Sequence, residues 1–253
     1  MRSLGKLKLS IVLTVIIVAM PIIVAKIPIP HTSSCVSYVD AAKISSDSMK
    51  SKQVLSANDV SEELLREHLK KFGAFIVIDN DGTLYRSAKK VLSMYGIEIR
   101  RLDSFEELES IGCPKILVVN LDREAIATLT SETILDKLRR CSLSGTYVLF
   151  AFNDTKLADE VWRKIFGVPL PYKSNEVTVA KVWRSGKVEH VVEKTFFVYG
   201  RTYRVVDGKR IPIEVGGSAG YRDVKDLEKA ISEALANLLK NIVYVELNLG
   251  NEQ

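Results

Sequence analysis

The stretch Ala74-Phe75-Ile76-Val77-Ile78-Asp79-Asn80-Asp81-Gly82-Thr83-Leu84 decides how this chain folds. Its first five residues are apolar without a break, the pattern of a strand buried on both faces. Asp79 to Gly82 then supply loop formers, which end the strand at a polar turn. Upstream, Leu64, Leu65 and Leu69 share one face of a helix that starts near Asn58 or Asp59 and stops at Gly73. Downstream, the spacing predicts a helix over 87–95, a strand over 98–102, a short helix over 105–110 and a buried strand over 116–119. A helix from Thr130 to Cys141, a strand over 147–152 and a helix over 157–166 complete this half. Strands alternating with helices imply a parallel sheet with right-handed crossovers.

The second half has another rhythm. Segments 177–183 and 187–192 flank Ser185-Gly186, and segments 195–199 and 201–206 lead through Asp207-Gly208 into 211–215, so hairpins are expected. Gly216-Gly217-Ser218-Ala219-Gly220 reads as a linker, followed by a helix over 223–240 and a last strand over 242–249. The expected fold is a three-layer, mostly parallel α/β domain with an antiparallel β extension. Residues 58–170 form its core and 171–253 belong to the same domain.

The N-terminus reads as a membrane element. Arg2, Lys6 and Lys8 precede Leu9–Ala25, an uncharged apolar run that as a helix spans about 25 Å, against a bilayer core of about 30 Å. The basic flank favours a cytoplasmic N-terminus and an extracytoplasmic domain. Residues 1–26 are therefore expected to be a transmembrane signal anchor, with a signal peptide cleaved after Ala25 and secretion as the alternative. Residues 27–57, with Ile27-Pro28-Ile29-Pro30 and many serines, read as a stalk.

The net charge of +5 is spread along the chain, so no nucleic-acid footprint is read. With only two Gln among abundant Lys, Arg, Glu, Ile and Val, the composition resembles that of heat-adapted proteins. His31, His68 and His190 lie too far apart for a histidine metal site to be read from spacing. Cys113 begins a strand and Cys141 ends the next helix, which places both at one end of the domain and permits a disulfide. Asn153-Asp154-Thr155 fits a glycosylation acceptor at Asn153.

The order of elements over residues 72–168 resembles glutamine amidotransferase-like and flavodoxin-like domains of exported proteins. Amidotransferase chemistry is not implied, because Cys113 precedes a strand instead of following one. Ile76 to Leu84 resembles the first motif of haloacid dehalogenase-like phosphohydrolases, an apolar strand followed by Asp-x-Asp-Gly-Thr. That resemblance implies Asp79 as nucleophile, Asp81 as general acid and base, and Mg²⁺ held by Asp79, Asp81 and Asp154. The remaining motifs of the family are matched only in part, with Asn153-Asp154 giving one acid of the usual pair.

Three functions follow as expectations. The leading one is a membrane-tethered domain that binds a ligand or protein partner at the cell surface, without a complete catalytic set and with no firm cofactor. The second is the Mg²⁺-dependent phosphohydrolase, and the third a subunit of a surface assembly. Whether the chain is an enzyme stays open at this point.

Overall fold

Apolar runs that cannot face water on either side must lie inside a sheet covered twice, and the computed structural model, which describes residues 60–182 and 186–250, has that arrangement. In chain order the elements are α1 (Glu62–Lys70), β1 (Phe75–Ile78), α2 (Thr83–Ser93), β2 (Ile99–Leu102), α3 (Phe105–Ser110) and β3 (Ile116–Asn120). Then come α4 (Arg123–Thr128), α5 (Glu132–Leu143), β4 (Tyr147–Phe152), α6 (Thr155–Phe166), β5 (Glu176–Val182), β6 (Val188–Val206), β7 (Lys209–Tyr221) and α7 (Leu227–Gly250). The expected membrane anchor, its alternative signal peptide, the stalk and Cys35 lie outside the described residues.

Strands β2, β1, β3 and β4 are parallel neighbours in that order, and β6 pairs antiparallel with β4. Lys194 of β6 pairs with Glu176 and Tyr221, while Phe197 pairs with Phe152 and Ser218. Strand β7 therefore takes one edge of β6, and β4 and β5 share the other edge end to end. The sheet is mixed α/β, mostly parallel, with an antiparallel extension. A flavodoxin-like sheet would continue with a parallel fifth strand, and antiparallel β6 occupies that place, so that resemblance is dropped.

The pleat sorts the side chains into two cores. Phe75, Val77, Ile116, Val118, Leu149 and Val198 pack against α1, α2 and α7. Ile76, Ile78, Leu117, Val119, Phe150 and Phe197 pack against α3 to α6. Each strand thus buries alternate residues on opposite faces, which is why β1, β3 and β4 carry no polar alternation.

Two expectations fail in the second half. Segment 242–249 continues α7, with Leu238, Leu239, Ile242 and Val243 all buried at helical spacing. No Gly or Pro interrupts 227–249, so nothing stops the helix. The glycine-rich stretch 216–220 is not a linker but the second half of β7.

Among the described residues no helix is long and apolar enough to cross a membrane. The expected single-pass, extracytoplasmic location gains no span from this domain and is withdrawn; its segment Leu9–Ala25 lies outside the described residues.

Candidate functional site at the carboxyl edge

Because β2, β1, β3 and β4 are parallel, the loops that follow them meet at one edge of the sheet. Strand order reverses between β1 and β3, with α2 on one face of the sheet and α3 on the other. A crevice opens at such a reversal, and α/β proteins place ligands there.

Asp79 leaves the end of β1 almost fully buried. Its Oδ2 accepts the Tyr85 backbone N–H at 2.7 Å and its Oδ1 accepts Asn120 Nδ2 at 3.1 Å. Asp81 turns back so that its Oδ1 accepts the Thr83 N–H at 2.7 Å. Gly82, at φ 74°, makes that turn possible, and a Cβ there would stand 3.0 Å from Arg101 Nη1. From β2, Arg101 donates to the Asp79 carbonyl through Nε at 2.9 Å and to the Asn80 carbonyl through Nη2 at 2.8 Å. Its Nε also lies 2.9 Å from Asp103 Oδ1.

The two carboxyl groups act on one another and titrate as a pair. Burial pushes Asp79 above the ordinary aspartate range and the Asp81 carboxylate adds to that, against the Tyr85 amide and Asn120. Burial also raises Asp81, but the Thr83 amide, Asp79, the Thr83 side chain and Arg86 outweigh it and hold Asp81 low. Of the two, Asp79 is therefore the group that takes up a proton first as the pH falls.

That division sets a pH dependence with two opposite signs. Asp79, its folded pKa above its ordinary value of 3.8, contributes stability below that value and loses it as pH climbs through the raised one. Asp81 contributes above its ordinary value and loses it as pH falls through the lowered one. Asp79→Asn removes the first contribution, so its stability relative to the wild type should improve as pH rises from about 4 to about 7. Urea unfolding at both pH values reads this, and a gap that does not change with pH would remove the proton from Asp79.

The structure brings together Asp79 and Asp81 at the Gly82 turn, and adds Asn120 and Arg101, which sequence reasoning missed. It does not bring Asp154 to them. Asp154 follows β4, two strands from β1, and its Oδ1 is engaged as the N-cap of α6, accepting Lys156 N at 2.9 Å and Leu157 N at 3.2 Å. Asp122 likewise caps α4, its Oδ1 accepting Ala125 N at 2.7 Å. Among the described residues no group of three or more His, Cys, Asp or Glu could hold a metal ion. The expected Mg²⁺ site of Asp79, Asp81 and Asp154 is therefore corrected, and the phosphohydrolase assignment, with Asp79 as nucleophile, falls with it.

At the opposite edge Cys113 and Cys141 are joined by a disulfide across a sequence separation of 28. Asn153 is exposed after β4 and its carbonyl accepts Asn175 Nδ2, while Thr155 is buried at the start of α6.

No family model and no curated protein matches the chain. Similar solved structures include an S-adenosylmethionine-dependent methyltransferase from Clostridium acetobutylicum ATCC 824, with 9% identity and a TM-score of 0.23 over 70% of this chain and 81% of that one. Another is the precorrin-6y C5,15-methyltransferase from Geobacter metallireducens GS-15, with 12% identity and a TM-score of 0.30 over 69% of this chain and 94% of that one. Both likenesses are loose, and no residue role is carried over from either. The tethered surface-binding expectation drew on an anchor outside the described residues and on an incomplete catalytic set. It is not kept.

Proposed function

We propose that the described domain binds a nucleoside-type ligand at the β1–β3 crevice, with no phosphate at the loop after β1. The observation that carries this reading is how the amino end of α2 is occupied. In dinucleotide-binding sheets that position receives a pyrophosphate on free backbone N–H groups. Here Asp79 and Asp81 already accept the Tyr85 and Thr83 N–H groups at 2.7 Å each. The Asp81 carboxylate, held ionised by its neighbours, also repels a phosphate. What the two carboxyl groups leave available is acceptor chemistry suited to hydroxyl groups, and an acid beyond β2 in such sheets takes ribose hydroxyls. Asp103 holds that place, with its side chain 75% exposed.

Calorimetric titration of the full chain with adenosine, S-adenosylmethionine and ATP tests the reading. The two phosphate-free nucleosides should bind, and ATP should bind at least about tenfold more weakly because its phosphates meet Asp81. Asp103→Asn should weaken the nucleosides by about tenfold, the worth of roughly one hydrogen bond to a charged acceptor. ATP binding as tightly as adenosine, or silence from both nucleosides, sinks the proposal.

A further inference from the structure

A concavity at the other edge of the sheet takes no part in the carboxyl-edge site. Helix α5 ends where β4 begins, and α6 runs back from the end of β4, so both helices finish at the amino edge of the sheet. Strand β6, antiparallel to β4, passes the same edge at Tyr203, two residues beyond the Arg201–Val148 pair. These three elements border an open groove of about 310 Å³ lined by Arg139, Leu143, Lys164, Ile165, Phe166, Gly167 and Tyr203. We infer that this groove binds an amphipathic monoanion, a carboxylate carried on a short apolar body.

The side-chain polar groups around it are donors. Arg139 is held in place by giving Nε to the Ile165 carbonyl at 3.1 Å and Nη2 to the Lys164 carbonyl at 2.9 Å, while Nη1 contacts Asp136. One N–H on each Nη remains after those bonds. No carboxylate among the described residues pairs with Lys164, which is exposed at the rim. Tyr203 accepts from Arg201 Nη1 at 3.5 Å and keeps its own hydrogen to donate. Arg201 itself is spent, paired with Glu214 and lying 5.0 Å from the Phe166 ring centroid. Asp136 offsets part of the Arg139 charge, so Lys164 supplies the net positive charge.

The apolar part of the groove comes from Leu143 and Phe166, both half-buried, and from Ile165. An inorganic anion would leave these faces wet, whereas an alkyl chain removes them from water at about 0.8 kcal/mol per buried methylene. At roughly 30 Å³ per small group the volume holds about ten heavy atoms, the size of octanoate.

Titrating the isotope-labelled full chain with octanoate, acetate and octanol, followed by amide NMR shifts, tests the assignment. Octanoate should saturate and move the amides of residues 164–167 and 203. Acetate should bind at least about tenfold more weakly for want of methylenes, and octanol about tenfold more weakly for want of charge. Lys164→Glu should weaken octanoate by about tenfold, with the fold intact because that side chain is exposed. Asp103→Asn should leave octanoate binding unchanged, which separates this site from the nucleoside proposal. Acetate matching octanoate, shifts scattered over the surface, or a Lys164→Glu protein that binds octanoate as the wild type does would each overturn the assignment.

Discussion

Gly217→Val is expected to lower the melting temperature of the full chain by about 10 °C. A Cβ at this position would lie 2.0 Å from the Ala234 carbonyl oxygen and 2.5 Å from the Leu238 backbone nitrogen, both in α7. Backbone atoms of a helix cannot step aside as a flexible side chain can, so either α7 lifts from the sheet or β7 bends. Lifting α7 would loosen Ala230, Ala234, Leu235, Leu238, Ile242 and Val243 from the core they share with α1 and α2. It would also strain the bonds from Asn237 Nδ2 to the Ser218 carbonyl, at 3.1 Å, and from Asn241 Nδ2 to the Gly216 carbonyl, at 2.6 Å. Overpacking of this kind costs about 3 kcal/mol, or roughly 6–12 °C for a domain of this size. Gly112→Ala is the matched control, because a Cβ there meets nothing within 4 Å. Thermal unfolding of the three proteins decides the matter. If valine at 217 melts within about 2 °C of glycine, α7 does not pack on β7 as closely as described.

The same glycines show where sequence reading stopped. Glycine-rich stretches between a strand and a helix are usually turns, and only the helix lying on residue 217 reveals that the missing side chains make room for close packing. The long helix α7 was missed in part for a related reason. Ile242-Val243-Tyr244-Val245 has strand composition, yet Leu235, Leu238, Leu239, Ile242 and Val243 continue one helical face without a break. Tertiary packing overrides β propensity there. By contrast, the runs Phe75–Ile78, Ile116–Asn120 and Tyr147–Phe152 were legible because a doubly covered strand has no other way to look. At the site, the Asp79–Asp81 loop was visible as a strand-end motif. Its partners were not, since Arg101 looks like a misplaced charge in β2 until register places it opposite Val77. Asn120 looks like a strand terminator until β3 is known to lie beside β1. Asp154 failed for the opposite reason, because strand-end acids also cap helices, and spacing alone does not distinguish a ligand from a cap.

Breaking the Cys113–Cys141 bond is expected to cost about 3–4 kcal/mol, close to the loss at Gly217 but through a different state of the chain. The bond closes a loop across a separation of 28 residues. Freeing a loop of that length raises the entropy of the unfolded chain by an amount worth roughly 3.6 kcal/mol at room temperature. The loop contains the whole of β3, which sits between β1 and β4 in the sheet. Cys113 is exposed and Cys141 is fully buried, so Cys113→Ala breaks the bond without opening a cavity in the core. That variant should melt about 10 °C below the wild type, and added reductant should lower the wild type to meet it while leaving the variant where it was. Cys141→Ala should fall further, by the extra cost of replacing a buried sulfur with a smaller group. The native site should hardly notice, because Asn120 stands at the far end of β3, about 17 Å along a five-residue strand from the bridged edge. Asp79 should therefore keep its raised pKa in the folded Cys113→Ala protein, read by carbon-detected NMR of its carboxyl. If reductant leaves the wild-type melting temperature unchanged, the bond does not constrain the unfolded chain. If the Asp79 titration shifts instead, the two edges of the sheet are coupled through β3, and the amino-edge disulfide tunes the carboxyl-edge proton.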